Sequence, residues 1–342
     1  MIIEHPSRAD LLQAAQSLKA GKLVAFPTET VYGLGADAEN NHAVELVFET
    51  KGRPNDHPLI VHLADMQTAE HFACNIPPFA NVLMKQFWPG ALTLILQRQP
   101  GIANASSGHQ STIGLRIPSH PMALELLEIA KSLGVFGIAA PSANRFGRVS
   151  PTQAVHVVEE LGEGLLILNG GASHIGIEST IIDCSRGQPI LLRPGQLSTE
   201  SLEQVLHQSI AQELIDETPD NSSPTALKAI APKVSGRLLA HYAPQAKVLL
   251  LDCQALEQRL SSYMPQPKAF IGVWSASPLV PDSKTFLYQA MPKRAEVCAQ
   301  VLFSTLRAFD KAGVQEIWIE QPPFAPDWLG VNDRLKRASH AQ

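Results

Sequence analysis

The sequence predicts two α/β domains, a larger one built on a mixed sheet and a smaller Rossmann-like one behind it. Three observations carry that prediction. At 342 residues the chain exceeds the size that one hydrophobic core usually serves. Strand and helix signals alternate through residues 9–207, the pattern of an α/β domain. That periodicity then lapses across residues 217–246, which are rich in Pro, Ser, Asn and Ala, and resumes at Lys247. The predicted boundaries are therefore 1–216, a linker at 217–246, and 247–342.

The elements follow in order. Ala9 to Ala20 has apolar side chains at helical spacing, with Ser7 as cap and Gly21 as terminator. Leu23-Val-Ala-Phe reads as a buried strand, Ala43 to Glu49 as a short helix, and Pro58 to Leu63 as a strand. Ala91 to Leu96, Thr112 to Ile117, Val135 to Ala140, Leu165 to Leu168 and Thr180 to Asp183 are further strands. Met122 to Leu133, Thr152 to Leu161 and Ser198 to His207 read as helices. In the second unit Lys247 to Asp252, Ala269 to Trp274 and Glu316 to Glu320 are strands, and Pro292 to about Ala312 is a long helix. That unit suits three or four strands. It lacks a GxGxxG fingerprint, so no dinucleotide is assigned to it.

Composition excludes several functions. Hydrophobic content of 45% with 17% charged residues is ordinary for a globular protein, and no apolar stretch approaches the ~20 residues of a membrane-spanning helix. The first residues lack the basic start and apolar core of a signal peptide. Cys74, Cys184, Cys253 and Cys298 stand far apart without a CxxC pair, which argues against a disulfide framework or zinc site and fits a reducing cytoplasm. A net charge of -5 speaks against a protein that coats nucleic acid. No Walker A loop and no GxSxG elbow occurs. His57 and His62 are expected on opposite faces of a strand with no third ligand near in sequence, so no protein-bound metal is expected.

Four segments carry chemistry. Pro27-Thr-Glu-Thr-Val-Tyr-Gly-Leu-Gly crowds hydroxyls and a carboxylate beside glycines, although a polar strand-to-helix turn accounts for it better on the residues alone. Lys51-Gly-Arg-Pro presents two cations suited to phosphate oxygens, and a solvated basic loop is an equally good account. Ala140-Pro-Ser-Ala-Asn-Arg-Phe-Gly-Arg-Val-Ser150 ends a strand in small residues and hydroxyls ahead of a helix, which suits an anion; Ser150 also fits a helix cap. Arg116 and Arg193 sit in or at the end of apolar strands, where arginine needs a partner; Glu29, Glu178 and Asp183 are the available carboxylates. Together these point to a site for carboxylate and phosphate groups.

Taken as an ordered set, PTETVYGLG, KGRP, FWPGALTLIL, IGLRIP, APSAN, STIID and LLRPG closely resemble the YrdC-type L-threonylcarbamoyladenylate synthases. HYAP (His241 to Pro244) and NDRLKRA (Asn332 to Ala338) extend the resemblance to the family's long form. The resemblance implies a twisted α/β sheet around a deep, largely basic cavity. It implies that L-threonine, bicarbonate (or carbon dioxide) and ATP become threonylcarbamoyl-AMP and pyrophosphate, which a separate tRNA threonylcarbamoyl-transferase complex consumes. By the same resemblance, Thr30, His62, Arg116, Ala140 and Ser179 hold threonine. Lys51, Arg53, His57, Thr112, Ser142, Asn144, Ser150 and Arg193 contact ATP, with Lys51 and Arg53 supporting the chemistry. Magnesium is expected to arrive with ATP, because the sequence shows no acidic cage. The linker is expected to act as a lid through His241 and Tyr242, although the family's usual Ser-Pro-Gly reads Val234-Ser-Gly here. Two other readings are an RNA-binding module without chemistry and a carbamoyl-adenylate-forming enzyme. The acidic charge, and the absence of interleaved aromatic and basic residues, weigh against the first. The second lacks its usual acylphosphatase and zinc-finger segments.

Overall fold

The computed structural model describes residues 1–213, 231–234, 236, 238–264, 270–277 and 285–340. The expected boundary at 216/217 and most of the linker therefore lie outside the described residues. Twelve described strands form one mixed sheet. Its path runs from Ile2–Ile3 through Leu166–Leu168, Val24–Phe26, Gly33–Asp37, Ile138–Ala139 and Ile60–His62. It continues through Thr112–Arg116, Leu92–Arg98, Thr180–Asp183 and Ile190–Arg193 to Ala211–Gln212. Ala73–Cys74 pairs with Leu92–Arg98 off this path.

Local chemistry explains most elements. The first helix, Arg8–Lys19, starts at a capping box in which Ser7 and Asp10 each satisfy the other's backbone N–H. Such a cap contributes about 1 kcal/mol. The second helix, Asn41–Lys51, is stopped by Gly52 in the left-handed region at φ 62, which turns Lys51 and Arg53 inward.

Three expectations are corrected. The segment after Pro27 does not turn into a helix. It loops over residues 27–32 and returns as the strand Gly33–Asp37, antiparallel to Val24–Phe26 with Phe26 opposite Gly33. Both glycines serve packing inside the sheet: a Cβ on Gly35 would lie 2.8 Å from Ile138 and 2.9 Å from Phe26. The strand expected over Val135 to Ala140 shrinks to Ile138–Ala139, because the chain at Gly137 runs so close to Val61 and Phe72 that a Cβ would come within 2.6 Å. His57 lies in the loop before the strand Ile60–His62, so the two histidines are not opposite faces of one strand. Helices at Pro78–Phe87, Cys253–Ser262 and Leu329–Ser339 are additional to the expected elements.

The second sheet is parallel, ordered Lys247–Leu251, Glu316–Glu320, Ile271–Ser275 and Phe286–Ala290. Ala295–Lys311 and Leu329–Ser339 pack on one side of it. One apolar cluster continues from here into the first sheet's loops: Phe303, Val331 and Leu335 pack with Val31, Val149, Ile177 and Tyr242. The C-terminal helix is thereby seated against loops at the ends of strands in the larger sheet.

Candidate active site

A narrow polar cavity opens where several of those loops converge. Lys51 and Arg53 enter from the end of the second helix, His62 and Arg116 from adjacent parallel strands, and Arg193 from the end of Ile190–Arg193. Ala140, Ser142 and Asn144 line it from the small-residue loop, Thr30 from the Pro27 loop, and Ser179 from the approach to Thr180–Asp183. His241 and Tyr242 line it from the segment that precedes Lys247–Leu251. Three expected site residues stand apart. His57 packs its ring edge on Phe146, 5.5 Å between centroids, without lining the cavity. Thr112 faces a separate crevice with Gln110, Lys233 and Val234. Ser150 does not cap a helix, since the helix starts at Ala154; its hydroxyl donates to Glu178 at 2.5 Å.

Four cations are gathered in little space and little water. Lys51 donates to the carbonyls of Ser142, at 2.5 Å, and of Asn144. Burial, with Arg53 beside it, holds the Lys51 amine well below its ordinary range. Burial likewise takes Arg53 down to about 10, and it lowers Arg193. Arg193 donates to the Ser179 carbonyl at 2.9 Å and to its hydroxyl at 3.1 Å. The Arg53 guanidinium lies 5.6 Å from the centre of the Phe146 ring. Each of these cations has lost hydration, so an anion entering here meets a field it would not meet at the surface.

Arg116 is held differently. Its Nε donates to the Gly90 carbonyl at 3.1 Å, one Nη to the Thr30 hydroxyl at 2.9 Å, and the other to Glu29 at 2.6 Å. A guanidinium has five N–H donors, so two stay unclaimed among the described residues, the number a carboxylate takes in a bidentate pair. His62 is buried next to it. Burial, then the charge of Arg116, pushes the imidazole down to about 3, which leaves it neutral. Its Nδ1 has no partner among the described residues, and neither do Asn144 Oδ1, His241 Nδ1 and the Tyr242 hydroxyl. Buried polar atoms cost energy when unpaired, so this concentration marks surface prepared for a ligand.

Behind the cavity stands a residue that sequence reasoning missed. Arg334, fully buried on the C-terminal helix, donates to the Glu178 carboxylate at 3.0 Å, to the Glu178 carbonyl at 3.2 Å and to the Pro194 carbonyl at 2.6 Å. Burial alone would raise the Glu178 carboxyl, but Arg334 and Arg193 hold it below the usual range. Arg337 on the next turn holds the linker through the Leu238 carbonyl at 2.6 Å. The linker is further tied by Gln110, which exchanges two hydrogen bonds with the Lys233 backbone at 2.7 and 3.2 Å. An isolated arginine in NDRLKRA carries no sequence signal for this role, because its partner is 156 residues away.

Along its length the chain is similar to known proteins. Residues 16–195 match the Sua5/YciO/YrdC family model, described as telomere recombination, and residues 197–340 match that of the threonylcarbamoyl-AMP synthase C-terminal domain. A threonylcarbamoyl-AMP synthase of Pyrococcus abyssi is 38% identical, covering 95% of this chain and 93% of that relative. One of Bacillus subtilis is also 38% identical, covering 96% and 92%. Among solved structures, that of P. abyssi Sua5 complexed with L-threonine superposes with a TM-score of 0.86 at 37% identity, covering 100% of this chain and 98% of that one.

Proposed function

The chain belongs to the threonylcarbamoyl-AMP synthase family, and from that premise we propose how its cavity is divided between the substrates. It is an enzyme, a nucleotidyltransferase that makes L-threonylcarbamoyladenylate from threonine and ATP for tRNA modification. In our reading Arg116, with its two remaining donors, takes the carboxylate of threonine. Thr30, His62, Ser179 and the Ala140 backbone surround the rest of the amino acid. Lys51, Arg53, Ser142, Asn144 and Arg193 face the phosphates of ATP. His57, Thr112 and Ser150 belong to the nucleotide side at one remove: Ser150 through Glu178, and Thr112 through the crevice beside Ile60.

Carbon enters as bicarbonate or carbon dioxide. The neutral threonine amine adds to carbon dioxide with loss of a proton, or to bicarbonate with loss of water, and the new carboxylate oxygen attacks the α-phosphorus of ATP. Pyrophosphate leaves with the bonding electrons of the broken P–O bond. Lys51, Arg53 and Arg193 stabilise charge growing on phosphate oxygens, and no covalent enzyme intermediate is needed. The donors present do not suit a resident magnesium ion. Glu178, which lines the cavity, and Glu29, which does not, are already committed to Arg334 and Arg116, so magnesium enters with ATP.

The division of labour along the chain is part of the same proposal. Residues 1–216 form the catalytic unit, 217–246 a linker whose His241 and Tyr242 act as a lid, and 247–342 a unit that braces both. A lid would keep water from a hydrolysable mixed anhydride. The setting is the cytoplasm, and the consumer of the adenylate is a separate tRNA threonylcarbamoyl-transferase complex.

The observation that carries this reading is the buried cluster of four cations, one of them, Arg116, presented with two donors left. Its test is pyrophosphate release from ATP and bicarbonate across an amino-acid panel. Release with threonine alone is expected, and its loss in a Lys51→Ala, Arg53→Ala double variant. Equal release with every amino acid, or an unimpaired double variant, overturns the assignment.

A further inference from the structure

We propose that Glu29 sets the charge specificity of the amino-acid site, so that a zwitterion is accepted in preference to a simple hydroxy acid. The inference rests on the assignment of Arg116 to the substrate carboxylate. Glu29 is 6% exposed, and its Oε1 accepts from an Arg116 Nη at 2.6 Å. Its backbone carbonyl accepts from Ile175 at 2.7 Å, and its chain neighbours Thr28 and Thr30 both line the cavity. The carboxylate is thus held by Arg116 just behind the cavity lining, and its second oxygen is buried with no partner among the described residues.

The consequence is electrostatic. Arg116 without Glu29 is a bare buried cation, and such a site favours any monoanion. With Glu29 beside it the pair is neutral overall but strongly dipolar. A ligand whose carboxylate rests on the free donors of Arg116 brings its α-ammonium into the ~4–6 Å range over which an opposite charge matters. A substrate without the ammonium meets the repulsion of Glu29 and gains nothing in return. Arg116 is donor only and Thr30 a neutral hydroxyl, so of the three groups joined here Glu29 alone brings a negative charge to the ammonium. Its charge persists at neutral pH. Burial would raise the carboxyl, but the adjoining Arg116 holds it below the ordinary range.

Isothermal titration of the full chain with L-threonine and with 3-hydroxybutyrate, the same skeleton without the amine, tests this. Wild-type protein is expected to prefer threonine. Glu29→Gln keeps an acceptor for Arg116 and removes only the charge, so the ratio of the two affinities should fall by about tenfold or more. The threonine KM should rise while the ATP KM stays put. If both ligands weaken together, Glu29 merely holds Arg116 in place and the inference is overturned; it is overturned equally if the ratio does not move. Wild-type protein that binds 3-hydroxybutyrate as tightly as threonine sinks it without any variant, which covers the case of a variant that does not fold. Threonine affinity unchanged in Arg116→Ala would instead defeat the underlying assignment of the carboxylate.

Discussion

Replacing Arg334 by methionine takes away a charge, keeps most of the volume, and strands Glu178 inside the protein. In the native chain the two groups meet at 3.0 Å with side-chain exposures of 0% and 10%. Removing one partner of such a buried pair costs about 3–5 kcal/mol, because the remaining charge loses its compensation. For a chain of this size that is a fall in melting temperature on the order of 10 °C. The pH dependence gives the diagnosis. With Arg334 present the Glu178 pKa is depressed, so its stabilisation is present above the unfolded value of 4.5 and is lost as pH falls through the folded value. Without Arg334, Arg193 and the Ser150 hydroxyl still oppose burial, but the folded pKa rises and the ionised form loses its largest favourable partner at neutral pH. The deficit of Arg334→Met should therefore shrink as pH drops from 8 towards 5, and a second change, Glu178→Gln, should recover more than half of it. Urea denaturation of the four proteins at both pH values, read as a double-mutant cycle, measures this. A loss below about 1 kcal/mol, equal at both pH values and untouched by Glu178→Gln, would refute the claim that this ion pair joins the C-terminal helix to the cavity.

Two further outcomes are expected. Gly236 has φ +80, and a Cβ there would lie 2.5 Å from the Tyr242 hydroxyl and 2.9 Å from Arg193, so Gly236→Ala should raise the ATP KM by about tenfold. Backbone strain should also lower its unfolding free energy by about 1–3 kcal/mol; steady-state kinetics beside a melt would refute the contact if the ATP KM stayed put. His62 is held neutral at a pKa of about 3 against 6.5 when unfolded, so stability is full above 6.5 and is lost as pH falls towards 3. His62→Gln should flatten that part of the stability profile, and an unchanged slope would mean the histidine is not desolvated.

The residues that build the cavity were legible through the ordered family strings, whereas on chemistry alone Lys51 and Arg53 suited a solvated loop equally well. Hydroxyls, glycines and cations placed in or beside apolar strands are costly unless something uses them, and Lys51, Arg53, Arg116, Asn144 and Arg193 all line the same space. Partner choice was not legible. Arg116 had Glu29, Glu178 and Asp183 as equal candidates, yet Asp183 is taken by Arg186 at 2.5 Å and Glu178 by Arg334, which leaves Glu29. The glycines of the Pro27 segment misled in the opposite direction. They suggested a sharp turn, whereas Gly35 is needed because Phe26 and Ile138 close over a strand.

By itself the sequence determined what acts over a few residues: the capped helix after Ser7, the apolar strands Thr180–Asp183 and Glu316–Glu320, and the ordered strings that announce a family. Capping, turn geometry and side-chain periodicity are short-range forces, and they are written wherever they act. The tertiary structure alone decided that Arg116 faces Glu29 across 87 residues and that Arg334 reaches Glu178 across 156. Those contacts depend on strand order and on the seating of one helix, and no local pattern encodes either. Each ion pair then exists because the fold has already removed the water that would otherwise have satisfied both charges.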